Sequence, residues 1–184
     1  TDRGPNDNRP VTTPEVEYAR NLAMRLLPAS EVAPVTPSPA SIVRADGEVR
    51  LSDGMIISAP PQLWKEAELL AARLSDFAAV TAVVEDTATD NEATIRLAIQ
   101  GSADSGAMGL AAEGYTLTVD PASGIDVVGK SAAGVFYGTQ SLLALIDPQL
   151  LGAGQAIVPA VSVVDSPRFG YRGMHLDVSR NFQP

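Results

Sequence analysis

The chain has 184 residues, enough for one domain or one domain with an appendage. Its formal net charge of −9 argues against nucleic acid or an anionic membrane surface as partner, since both need a basic patch. It has no cysteine and a single histidine, His175, which leaves no disulfide, no thiolate metal site and no multi-histidine zinc site within it.

Aromatic residues are 5% of a chain that is 45% hydrophobic, so Ala, Val, Leu and Ile must fill the core. No stretch reaches the roughly 18 consecutive apolar residues of a membrane span. Thr1 is not an initiator methionine and no charged-then-apolar leader follows it, so the chain reads as cut from a longer one. Residues 1–40 read as a linker. Residues 1–12 are polar. Thr13 can then cap a helix with Pro14 in its first turn, where Glu15 and Glu17 suit the helix dipole. Val16, Leu22, Met24 and Leu26 form an imperfect apolar stripe. Pro28, Pro34, Pro37 and Pro39 then predict an extended tether.

The compact part is expected to open near Ser41. "SIVRA", "EVRLS" and "GMIISA" read as short strands, with Asp46-Gly47 and Asp53-Gly54 as turns between them. Leu63, Ala67, Leu70, Leu74 and Phe77 recur at helical spacing through "PQLWKEAELLAARLSDFAA". "TAVVE" and "ATIRLAI" are strands around an acidic loop, "DTATDNE", which lacks the spacing and turn glycine of a calcium loop. Tyr115, Leu117 and Val119, then Ile125 and Val127, alternate as a hairpin. A second helix is capped by Ser131. In it Gly134 and Gly138 fit close packing on a sheet, not a phosphate loop, and Phe136 and Tyr137 read as core. "AIVPAVSVVD" is a strand that Pro159 makes bent or places at an edge. This order predicts an α+β fold, a mixed β-sheet with two helices on one face.

The last strand, "YRGMHLDV", alternates Met174, Leu176 and Val178 with Gly173, His175 and Asp177. One face is apolar and the other polar, as in a barrel strand near its substrate end. Arg180 lies just beyond that end. Two readings stand for it: a rim residue that meets substrate, or an exposed arginine paired with Asp177 or Asp165.

Glu113 to Tyr115, Gly134 to Leu142 and Asp165 to Arg180 together resemble the family-20 glycoside hydrolases, the β-N-acetylhexosaminidases and bacterial chitobiases. The pattern is Glu-Gly-Tyr, then Gly-x-x-Tyr-Gly-x-Gln-Ser-Leu, then Asp-x-Pro-Arg-Phe-x-x-Arg-Gly-x-x-Leu-Asp-x-x-Arg. The resemblance implies that 41–165 is the accessory domain of such an enzyme and 166–184 the start of a truncated (β/α)8 barrel, with Tyr171 to Val178 as its first strand. Arg180 would hydrogen-bond hydroxyls of a terminal N-acetylhexosamine, a task that suits a planar, always charged donor group. Asp177 would be a neighbour that positions groups.

The implied mechanism is substrate-assisted and retaining: the acetamido oxygen attacks the anomeric carbon while an Asp-Glu pair orients it and protonates the leaving oxygen. That pair belongs to a later barrel strand, and Glu113, Asp120, Asp126 and Asp177 are not it. The chain alone is therefore expected to be inactive, with no catalytic residue, no cofactor and no metal of its own. Asn181 stands where many members carry histidine. The implied partners are an N-acetylhexosamine-terminated oligosaccharide in the parent enzyme and the missing catalytic barrel; the implied location is bacterial, periplasmic or secreted. Without the barrel, Met174, Leu176 and Val178 lose their packing partners, so the tail is expected to be disordered or to borrow an edge or a neighbouring molecule. The alternative from another class is a non-catalytic carbohydrate-binding or scaffold module, for which exposed aromatics would be needed. Trp64 sits at a helix start where it can bury.

Overall fold

The computed structural model describes residues 13–22, 24, 34–86, 94–100, 112–152 and 154–173. Two compact units divide at Ala33 and Pro34. The first holds α1 (Pro14–Leu22). The Val16 N–H donates to Thr13 Oγ1 at 3.4 Å, as the capping residue type demands, and Arg20 pairs with Glu17 at 2.9 Å. The stripe on this helix buries nothing: Val16 and Leu22 are both exposed.

The second unit begins within the proline-rich stretch, and Val35 is already part of its hydrophobic core. β1 (Ser41–Leu51) is one strand where two were expected. Asp46-Gly47 does not reverse the chain. Arg44 pairs with Val161 and Glu48 with Pro159, so residues 45–47 bulge out against the single residue Ala160, with Gly47 at φ 100°. Asp53-Gly54 is a turn, and it delivers β2 (Met55–Ser58) to the far side of the sheet. A short 3-10 turn, Pro61–Leu63, leads into α2 (Trp64–Ala78). Leu63, Ala67, Leu70 and Leu74 are buried as the spacing predicts, but Phe77, in the last turn before the left-handed Ala79, is 52% exposed. Trp64 is also exposed rather than buried, and its indole N–H donates to Ala59 O at 3.3 Å.

β3 (Ala82–Glu85) and β4 (Ile95–Ile99) flank β2 in parallel. β5 (Tyr115–Asp120) and β6 (Gly124–Gly129) form the expected hairpin. Asp120 Oδ1 closes its turn by accepting from Ala122 N at 2.7 Å and Ser123 N at 3.1 Å. α3 (Ala132–Leu145) follows, then the short α4 (Pro148–Gly152), which the sequence reading lacked, and β7 (Ala156–Asp165). The seven strands make one mixed sheet in the order β1-β7-β5-β6-β4-β2-β3. β7 is thus internal, not an edge. Pro159 is tolerated there because the β5 pairing stops at Val161 and its β1 partner, Glu48, lies beside the bulge, where a missing N–H costs little.

α2 and α3 touch each other and cover one face of this sheet. The cross-strand row Val84, Ile57, Ile95, Ile125, Val119 and Val161 points into them, and all but Val84 are buried. The opposite row runs Ser58, Arg96, Asp126, Thr118, Ser162 and Val43. There Arg96 grips Asp126 with two bonds of 2.6 and 2.8 Å and donates to Ser123 O at 2.6 Å. Residues 171–173 carry no regular structure, and Met174 to Val178, the rest of the expected barrel strand and tail, lie outside the described residues.

Candidate functional site

One end of the sheet gathers α3, the start of β5, the end of β7 and the segment that leaves it. The close approach of α3 begins this arrangement. A Cβ on Gly134 would run into Gly114 O, and one on Gly138 would lie 2.5 Å from Val127 Cγ1 and 3.1 Å from Tyr115 Cδ2. Both glycines therefore serve helix-to-sheet packing, as expected. The Gly134 N–H donates to the Ser131 hydroxyl oxygen at 3.4 Å, and that hydroxyl donates to Ala112 O at 2.7 Å. The Lys130 N–H donates to Gly114 O at 2.9 Å. The backbone on both sides of Glu113 is thus fastened, through Ala112 O and Gly114 O.

A cleft of about 310 Å³ opens beside it, lined by Val35, Pro37, Tyr137 and Pro167 among others. On its floor the Tyr115 hydroxyl shares a 2.6 Å hydrogen bond with Ser141 Oγ. Burial pushes the Tyr115 phenol above the ordinary tyrosine range; the Ser141 bond opposes that shift and the nearby Asp165 carboxylate adds to it. Asp165 Oδ1 accepts the Ala40 N–H at 3.0 Å, which ties the incoming segment to the end of β7. Arg172 closes the mouth. It donates to Glu113 Oε2, to Phe169 O at 2.9 Å and to Tyr137 Oη at 3.5 Å, with its guanidinium 6.0 Å from the Tyr137 ring centroid. The Glu113 bond, then that of Tyr137, holds the guanidinium even further above the working pH range than an ordinary arginine.

Residues 32–166 match the family described as glycosyl hydrolase family 20, domain 2. The chain belongs to glycosyl hydrolase family 20. A β-hexosaminidase of Vibrio vulnificus is 32% identical over 181 residues, 98% of this chain and 19% of the relative. The N,N'-diacetylchitobiase of Vibrio harveyi is 29% identical over 187 aligned residues, 98% of this chain and 19% of the relative. The N-acetyl-β-hexosaminidase of Streptomyces plicatus, solved in complex with thio-NAglucal, superposes with a TM-score of 0.63 at 29% identity, covering 82% of this chain and 30% of that one. The chain thus spans about a fifth of the length of these curated relatives.

Within this family-20 domain, the described carboxylates singled out from the sequence hold structure. Glu113 pairs with Arg172, Asp126 with Arg96, and Asp120 caps a turn. Tyr137 lines the cleft instead of lying wholly in the core. Arg180, the expected sugar contact, and Asp177 lie outside the described residues, as does most of the acidic loop after Asp86. Among the described residues no cluster of three acidic or histidine side chains could hold a metal ion. The Glu113–Arg172 pair escaped the sequence reading although both residues sit in the motif blocks quoted for the family. The signal was their opposite charge in two such blocks, 59 residues apart.

Proposed function

We propose that this chain is the accessory domain of a β-N-acetylhexosaminidase together with the first part of its catalytic barrel. Residues 41–165 would form the domain and 166–184 the start of the barrel. The parent enzyme would remove terminal N-acetylhexosamine from chitooligosaccharides or glycoconjugates by the substrate-assisted, retaining route, in a bacterial periplasmic or secreted setting. The observation that carries this reading is the match of 135 residues, 32–166, to the family's second domain. Relatives known as a β-hexosaminidase and an N,N'-diacetylchitobiase support the activity.

The domain's own job is support. Among the described residues Glu113 and Asp126 are held in ion pairs and Asp120 caps a turn. The isolated 184-residue chain is inactive on this reading, and Arg180 is its contribution to the sugar site. In the parent enzyme Arg180→Ala should lower kcat/KM for an aryl N-acetyl-β-glucosaminide by about 10- to 100-fold, the worth of one charged hydrogen bond. Unchanged turnover in that variant would remove Arg180 from the site. A binding-only module is tested by titrating the chain with chitobiose, followed by the fluorescence of the exposed Trp64. No saturation is expected up to about millimolar sugar.

A further inference from the structure

The segment that follows β7 has little to hold it. Phe169 and Tyr171 are 71% and 89% exposed, and a side chain at Gly170 would meet nothing within 4 Å. Two glycines, Gly170 and Gly173, bracket Tyr171 and Arg172 and give the backbone no stiffness of its own. Yet Arg172 reaches three separate partners: the Glu113 carboxylate, the Tyr137 hydroxyl and the carbonyl of Phe169. The first belongs to the stretch fastened by Lys130 and Ser131, and the second to α3. The Phe169 bond turns the segment back on itself, and the other two tie that turn to the stretch just before β5 and to α3.

An isolated surface ion pair would mean little. This one differs in its setting. Its carboxylate rises from a backbone stretch bonded on both sides, its guanidinium also reaches a phenol, and it lies eight residues before Arg180 in the chain. Sugar-binding groups tolerate little displacement, since an error of about 1 Å can cost a reaction about a hundredfold. We infer that Arg172 is a positioning residue: it pins the segment leaving the domain onto Glu113 and Tyr137, and so fixes where the stretch of chain that leads to Arg180 sets out. The part of this inference that concerns sugar binding rests on the function proposed above; the anchor itself does not.

Chymotrypsin reads the anchor directly at one bond, because the exposed Tyr171 is among its cleavage sites and the cut after it can be followed by mass. In the 184-residue chain, Arg172→Ala and Glu113→Gln should each raise the rate of cutting after Tyr171 by about two- to fivefold, the upper range of an exposed ion pair. Arg172→Lys should fall between them and wild type, and the thermal midpoint of the domain should stay unchanged. Equal cutting rates in folded wild type, Arg172→Lys and Glu113→Gln overturn the anchor even if Arg172→Ala fails to fold. In the parent enzyme, Arg172→Ala should lower kcat/KM alone but add no further loss to Arg180→Ala. Additive losses would overturn the positioning role. An inactive parent overturns the function reading and this catalytic consequence together, while the cutting rates still decide the anchor.

Discussion

The two faces of the sheet make different demands on the same strands. The face under α2 and α3 is a continuous apolar layer in which Ile57, Ile95, Ile125, Leu117 and Val127 have no exposure. The opposite face carries Thr118, Ser162 and the Arg96–Asp126 pair, with Val43 and Val83 more than half exposed. Along β5 and β6 one residue in two belongs to each face. The difference teaches that the strands are held by burial on one side and by local polar contacts on the other. The candidate site lies on the helix-covered side, where Tyr115 meets Ser141 of α3. It sits at the end of the sheet, where a buried hydroxyl pair and an exposed arginine meet within one cleft.

The comparison breaks most visibly at Leu142, fully buried where α3 meets the sheet. Leu142→Ala should cost about 2–5 kcal/mol in urea unfolding, the transfer term plus the cavity left behind. A loss under 1 kcal/mol, roughly the figure for a surface change, would mean that the covered face is not the main source of stability. Tyr115→Phe should cost about 1 kcal/mol, because it leaves Ser141 Oγ without its buried partner. On the open face, Arg96→Ala should cost no more than about 1 kcal/mol and less in high salt, since the Asp126 side chain is 37% exposed. A larger, salt-independent loss would erase the contrast between the faces.

The smallest effect is a matter of pH. The exposed Asp53 carboxylate is held below its ordinary range first by the Thr81 N–H at 2.8 Å and then by the Thr81 hydroxyl at 2.9 Å. A carboxylate lowered in the folded state favours folding above its unfolded pKa, and that contribution is lost as pH falls through the folded value. Asp53→Asn should therefore flatten the acid side of a plot of thermal midpoint against pH while changing the neutral region slightly. Parallel acid limbs for both proteins would show that the Thr81 contacts carry no linkage.

Much of this was legible from the residues. Periodicity located both long helices, and the alternation of Tyr115, Leu117 and Val119 with Ile125 and Val127 gave the hairpin and its buried face. The glycines at 134 and 138 were readable as contact points because a helix interior tolerates them only for a packing reason. The failures were long-range. Asp46-Gly47 looks the same in a turn and in a bulge, and only the partner strand, 111–117 residues further along in the register, decides between them. Pro159 argued for an edge, but sheet position depends on which strand ends early, a fact that local sequence does not carry. Arg172 and Glu113 carried a family pattern without a role, because an ion pair between loops has no periodicity to betray it.

The central claim is that the chain supports a barrel that does the chemistry. Hydrolysis of an aryl N-acetyl-β-glucosaminide, measured side by side for the 184-residue chain and for the parent enzyme that contains it, tests this most directly. The account predicts turnover by the parent and none by the chain. Turnover by the chain, or a parent without it, would contradict the account.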